Sequence, residues 1–126
     1  MSLASVNAYA AAMTEPTDRP RLIGELTLVP IEEGGRKRGI VSGYRGQALL
    51  SGVRDLSAAA SRVGVEFNDC RLDFGEAILE LGQSTTAMVY PLVAKHWIDV
   101  AAGDVVGLYE GYRLVGSIRI TRPIRS

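Results

Sequence analysis

The stretch VVGLYEGYRLVGSIRITR, residues 105–122, decides the fold. Glu110-Gly111 interrupts two strand-like runs, and a tight reversal at that point predicts a β-hairpin. In the second run, Arg113 to Arg122, apolar and polar residues alternate with the period of a half-buried strand. The residues predicted to face inward are Leu114, Gly116, Ile118 and Ile120. The stretch therefore indicates antiparallel β-structure with one face turned to a core.

Five segments upstream of the hairpin also have the pattern of β-strands. They are 24–29, 44–53, 64–74, 76–81 and 85–93, and glycine or proline turn signals separate them. Strands never alternate with long helical patterns, which argues against a parallel nucleotide-binding sheet. The residues alone thus predict an all-β domain, either an antiparallel barrel or a sandwich. Its core is predicted to contain Leu26, Leu28, Leu79, Leu81, Met88, Leu114, Ile118 and Ile120. Gly43 and Gly111 are predicted to adopt backbone conformations that other residues avoid.

Composition favours one soluble domain. The chain has 126 residues, of which 47% are apolar, and 14 basic residues balance 14 acidic ones. Residues 1–20 differ from the rest, with an alanine-rich stretch and then TEPTDRP, and predict a tail or a short helix. Residues 21–126 form the predicted β-barrel domain. With one cysteine, a poor secretory signal and no long apolar run, a cytoplasmic location without membrane association is expected.

Catalytic motifs are missing from the sequence. Gly34-Gly35-Arg36-Lys37 lacks the spacing of a phosphate-binding P-loop, so no nucleotide is expected to bind. His96 is the single histidine and Cys70 the single cysteine, and both are interpreted as structural residues, Cys70 as a buried one. One histidine and one cysteine do not make a plausible zinc site. We therefore expect neither an enzyme nor a cofactor.

Three segments resemble the third, C-terminal domain of elongation factor Tu. EEGGRKRGIVSGYRGQ is similar to the segment of that family in which Glu-Gly-Gly-Arg precedes Gly-Tyr-Arg-Pro-Gln. LELGQSTTAMVYPLVAKHWIDVAAGD is similar to its glycine turn, apolar strand and short connection. GLYEGYRLVGSIRITR is similar to its closing hairpin. The matches follow the order of the family and span residues 21–122.

The resemblance implies a closed six-stranded antiparallel barrel and a surface on which the T-stem of aminoacyl-tRNA lies. The chain departs from the family at several positions: Gly46 replaces a proline, Ala48-Leu49-Leu50 replaces an aromatic run, and Tyr112 replaces a glycine. Residues 51–64 have the character of an insertion. The GTPase domain of the family has no counterpart here, so nucleotide hydrolysis is not implied.

Two functions follow as expectations. The first is a non-enzymatic module that binds tRNA or another structured RNA. Its candidate residues are Arg36, Lys37, Arg38, Arg45, Gln47 and Arg113, with the cations contacting phosphates and Gln47 a ribose hydroxyl. The second is a protein-interaction module that uses an outward-facing Val115 and the loop around Trp97. For the first function the sequence leaves an alternative open, in which residues 36–38 are only a solvated loop. A third function, an enzyme with its site in the barrel mouth, has no residue set that favours it.

Overall fold

The computed structural model of the protein describes residues 19–50, 67–111 and 113–124. The strands in these ranges are β1 (Leu22–Leu28), β2 (Ile40–Val41), β3 (Tyr44–Leu49), β4 (Phe67–Phe74), β5 (Ile78–Leu79), β6 (Ser84–Pro91), β7 (Val105–Glu110) and β8 (Arg113–Arg122). Short 3-10 helices span Ile31–Glu33 and Ala94–Trp97. None of the helices in this part of the chain is long and apolar enough to cross a membrane.

Six strands close into an antiparallel barrel in the order β1-β6-β4-β3-β7-β8, and β8 pairs back with β1. Strands β2 and β5 form a separate two-stranded sheet. The predicted six-stranded closed antiparallel barrel is therefore confirmed, including the hairpin of β7 and β8. The predicted N-terminal tail or helix, up to residue 18, and the insertion at 51–64 lie outside the described residues.

The barrel interior is filled by aliphatic side chains from alternate strand positions. Among the predicted core residues, the following are buried in this cluster: Leu26, Leu28, Leu79, Ile118 and Ile120. Leu81 is only partly buried and packs against the cluster. Burial of apolar surface at roughly 25 cal/mol per Å² is the main force that stabilises such a core.

The prediction of which β8 residues face inward is wrong at the start of the strand, at Leu114 and Val115. Leu108 pairs with Gly116 and Tyr109 with Leu114, so Val115 is the extra residue of a β-bulge. The bulge shifts the alternation by one residue. Val115 is consequently buried in the core, while Leu114 is only half-buried. Val115 is therefore not available as the outward contact residue that the sequence predicts.

Two further apolar residues are buried in ways that alternation does not specify. Met88 is buried as predicted, but it lies with Tyr90 on the face of β6 opposite Ala87 and Val89, which belong to the interior cluster. Trp97 is completely buried in the core and anchors the second 3-10 helix. Trp97 itself is therefore not a surface residue, contrary to what its loop suggested.

Both predicted glycine turns are confirmed. Gly43 has φ of +93° and Gly111 has φ of +62°, in the left-handed region that side-chain-bearing residues avoid. Gly43 turns the chain from β2 into β3, and its amide donates to the carbonyl oxygen of Leu72. Gly111 turns β7 into β8. These two turns fix the entry of β3 and the end of the hairpin, which together bound the site described next.

Candidate binding groove

A groove of about 490 Å³ lies on the barrel where β3, β4, β6 and β7 run side by side. Its lining includes three arginines (Arg19, Arg45, Arg71), three tyrosines (Tyr44, Tyr90, Tyr109), two acidic residues (Asp69, Glu110) and Gln47. Leu92 and Gly111 also line it. Grooves of this volume are within the range of ligand sites. The lining offers cations, hydrogen-bond donors and acceptors, together with aromatic and aliphatic surface.

Two of the arginines face each other across neighbouring strands. Arg45 of β3 and Arg71 of β4 are direct cross-strand partners. Arg71 donates from Nη2 to Asp73 Oδ2 at 3.1 Å. Arg45 is exposed and has no ion-pair partner among the described residues. Like charges directly opposite each other destabilise a sheet, and here only Arg71 has a carboxylate partner, Asp73.

Two of the groove arginines stack on the ring of Tyr90. The guanidinium carbons of Arg19 and Arg71 each lie 4.8 Å from the centre of the ring. Cation–π contact of this kind holds planar guanidinium groups in defined orientations. The Tyr90 hydroxyl donates to the sulfur of Met88 at 3.5 Å. Tyr90 therefore positions the basic groups along one wall of the groove.

At the opposite rim, Glu110 is the acceptor for two donors. The Nη1 atom of Arg36 forms an ion pair with Glu110 Oε2, and the Tyr44 hydroxyl donates to the same oxygen at 2.5 Å. Arg36 also donates from Nε to the carbonyl oxygen of Arg38 and lies over the ring of Tyr44. Burial, and then the hydrogen bond to Glu110, raise the pKa of Tyr44 well above its usual value. Its hydroxyl therefore stays protonated at neutral pH and acts as a hydrogen-bond donor.

The six predicted nucleic-acid residues do not all meet at the groove. Arg45 and Gln47 line it, and Arg36 reaches its rim through Glu110. Arg113 is the exposed cross-strand partner of Glu110. The other two, Lys37 and Arg38, are exposed on the preceding loop, and no contact between their side chains and the groove is found among the described residues. The structure thus brings part of the predicted set together.

Sequence reasoning missed Arg71, Arg19 and Tyr90. Arg71 lies within the alternating run FNDCRLDF of β4, and its outward position was readable from that alternation. What could not be read was its position opposite Arg45, because that depends on the register between β3 and β4. Arg19 lies in the segment interpreted as a tail.

The single cysteine is buried as predicted, whereas the single histidine lies on the surface. Cys70 is buried in the core cluster, and burial raises the pKa of its thiol to about 12, so the thiol is protonated at neutral pH. His96 is exposed, and its Nδ1 lies 2.8 Å from Asn68 Oδ1. Within residues 19–50, 67–111 and 113–124, no three His, Cys, Asp or Glu side chains are grouped as a metal site would require.

Comparison with known proteins adds no family assignment. No protein-family model matches the chain, and no curated protein sequence matches it significantly. Function is therefore inferred from the geometry of the groove.

Proposed function

We propose that the chain is a non-enzymatic binding module for structured RNA of the tRNA kind, related to the third domain of elongation factor Tu, and that it contacts RNA phosphates in the groove. The observation that carries the proposal is the cross-strand pair Arg45–Arg71. Two cations side by side weaken a sheet in isolation, whereas a phosphate placed between them is bound by both. An anionic ligand thus accounts for an arrangement that the fold by itself does not favour.

The remaining groups of the groove suit an RNA backbone better than separated bases. Tyr90 already contacts two guanidinium groups, Tyr44 contacts Arg36, and Tyr109 packs edge-on against Phe67. Binding of single strands relies on aromatic faces that are free to stack on bases. Gln47 and Asp69 lie beside the cations and offer hydrogen-bond acceptors for 2′-hydroxyl groups. These features support recognition through phosphate and ribose.

The test is a titration of the full chain with tRNA at several salt concentrations. We expect affinity to fall steeply with salt, with a slope of roughly −0.7 to −0.9 per phosphate contacted. Arg45→Gln and Arg71→Gln should each reduce the magnitude of that slope by about one contact. Arg119→Gln is the matched control, because Arg119 is exposed on β8, which is separated from β4 by two strands in either direction around the barrel.

A protein partner is the second candidate function, favoured by exposed apolar residues on the connection between β6 and β7. Leu92 is 70% exposed on the groove lining and Ile98 is 65% exposed on the same connection between β6 and β7. Large apolar residues that are exposed together often mark contact surfaces. If the wild-type protein fails to bind tRNA even at low salt, the RNA proposal is ruled out and this second candidate takes its place.

A further inference from the structure

Glu110 occupies a position that an anionic ligand would suit. Its Oε2 atom accepts from the Arg36 guanidinium and from the Tyr44 hydroxyl, two donors carried by different parts of the chain. Arg36 belongs to the loop between β1 and β2, and Tyr44 begins β3. A guanidinium and a hydroxyl that converge on one oxygen make a charge-assisted anion site of the type that binds phosphate.

This pair of donors is organised by contacts other than Glu110. The Nε atom of Arg36 donates to the Arg38 carbonyl oxygen at 3.0 Å, and the guanidinium carbon lies 5.5 Å from the centre of the Tyr44 ring. Those contacts do not involve Glu110, so they can hold Arg36 in place when the carboxylate leaves. Donors arranged in advance bind an anion without having to order themselves first.

The carboxylate that fills the site is easy to displace. The side chains of Arg36 and Glu110 are 26% and 37% exposed, and an ion pair accessible to water contributes little to stability. Glu110 ends β7 at the hairpin turn, next to Gly111, and it lines the groove that Arg45 also lines. Tyr44 and Glu110 both line the groove, so a phosphate seated there can compete with the carboxylate for its donors.

We propose that Arg36 and Tyr44 form a second anion subsite at the groove rim, and that the Glu110 carboxylate is its internal, displaceable occupant. The subsite takes a phosphate group, and its use for RNA rests on the proposed function above. In the protein as it stands, Glu110 lowers the affinity of this subsite for phosphate. Displacement of Glu110 frees Arg36 and adds a contact beside Arg45.

The first experiment measures inorganic phosphate binding to wild-type protein and to Glu110→Gln by NMR, following the guanidinium signal of Arg36. We expect Glu110→Gln to bind phosphate at least about tenfold more tightly, because the competing charge is gone while the donors remain. Glu25→Gln is the control, since it removes the same charge from an exposed position on β1. The gain should disappear when Arg36→Ala is added. Glu110→Ala, which removes the acceptor entirely, is the second variant.

The outcomes separate this inference from the RNA proposal. Equal phosphate binding by wild type, Glu110→Gln and Glu110→Ala, all folded by thermal melting, overturns the subsite whatever the protein does with RNA. A phosphate gain in the variants, with no tRNA binding by wild type, keeps the subsite and rejects the RNA function. If wild type binds tRNA, Glu110→Gln should bind it more tightly at the same salt concentration, because the carboxylate no longer competes with the phosphate for Arg36.

Discussion

The β1–β8 and β3–β4 strand pairs of the barrel differ in the charges that face each other across the strands. Where β8 closes on β1, Arg119 lies directly across from Glu25, so unlike charges face each other. Where β3 pairs with β4, Arg45 lies directly across from Arg71, so like charges face each other. Cross-strand pairs of unlike charge stabilise a sheet and pairs of like charge destabilise it. The β1–β8 side is thus arranged for stability, and the β3–β4 side carries positive charge at a cost to stability.

The neighbouring contacts extend this difference. On the β1 side, Thr27 and Ser84 share a hydrogen bond of 2.7 Å, and Thr121 donates to the Ile23 carbonyl oxygen. On the β3–β4 side, Arg45 lies open to the groove with no ion-pair partner in the described part of the chain. Binding sites commonly sacrifice stability for function. The contrast is the reason for proposing β3–β4 as the side that binds an anionic ligand.

The largest expected effect comes from the core beneath the β1–β8 side. Ile118 is fully buried on β8, so Ile118→Ala should lower the free energy of unfolding by about 3 kcal/mol through lost burial and a residual cavity. Arg119→Ala, one residue away and exposed, should change it by less than about 0.5 kcal/mol. Urea unfolding monitored by tryptophan fluorescence measures both. Similar losses in the two variants would contradict the assignment of stability to the interior.

The hairpin turn between β7 and β8 gives the next largest expected effect on the free energy of unfolding. Gly111 has φ of +62°, and an added Cβ meets no atom within 4 Å, so Gly111→Val is opposed by backbone conformation alone. We expect a loss of about 2 kcal/mol in the free energy of unfolding. Gly75→Val is the control, because Gly75 is equally open but has no positive φ. A Gly111→Val variant as stable as the control would show that the turn relaxes to another conformation.

Sequence periodicity was sufficient for an antiparallel all-β domain, because local rules govern strands and turns, but it left a barrel and a sandwich both open. Alternation in β1 and the Glu110-Gly111 reversal predicted inward residues and antiparallel pairing, and the positive φ of Gly43 followed from its place between strands. The burial of Val115 was not predictable, since one extra residue in a strand leaves little trace in composition and inverts the alternation beyond it.

The groove was only partly predictable because it depends on register between distant segments. A tight turn fixes register, whereas β3 and β4 are joined through residues 50–66, which are too many to do so. The position of Arg45 opposite Arg71 therefore could not be read from the sequence. Likewise Arg36 and Glu110 lie 74 positions apart, and no local pattern connects them. The charges were visible as residue types, but their partners were not.

The pH dependence of stability tests whether the Cys70 thiol on β4 is buried. Its pKa is raised from 9.0 to about 12 by burial, so the unfolded chain loses the proton first as pH rises. The stability that the buried thiol contributes is present below pH 9 and is lost between pH 9 and 12. From pH 8 to pH 10 wild type should therefore lose about 1.4 kcal/mol more than Cys70→Ala. Urea unfolding under reducing conditions at both pH values measures this, and parallel pH profiles would mean that the thiol is not buried.

The smallest expected effect tests the charge comparison most directly. Arg45→Gln removes the like-charge opposition with Arg71 and should raise the free energy of unfolding by about 0.5 kcal/mol at low salt. Arg119→Gln removes the favourable opposition with Glu25 and should lower it by a similar amount. Both changes should shrink at high salt, because exposed charges are screened. Urea unfolding at two salt concentrations gives the change in the free energy of unfolding for each variant relative to wild type.

If the free energy of unfolding changes in the same direction in both variants, the β1–β8 and β3–β4 pairs do not differ in the sign of their cross-strand charge interaction. If Arg45→Gln stabilises the protein and also weakens its binding to tRNA, the same side chain opposes folding and favours the ligand, as expected of a residue kept for binding.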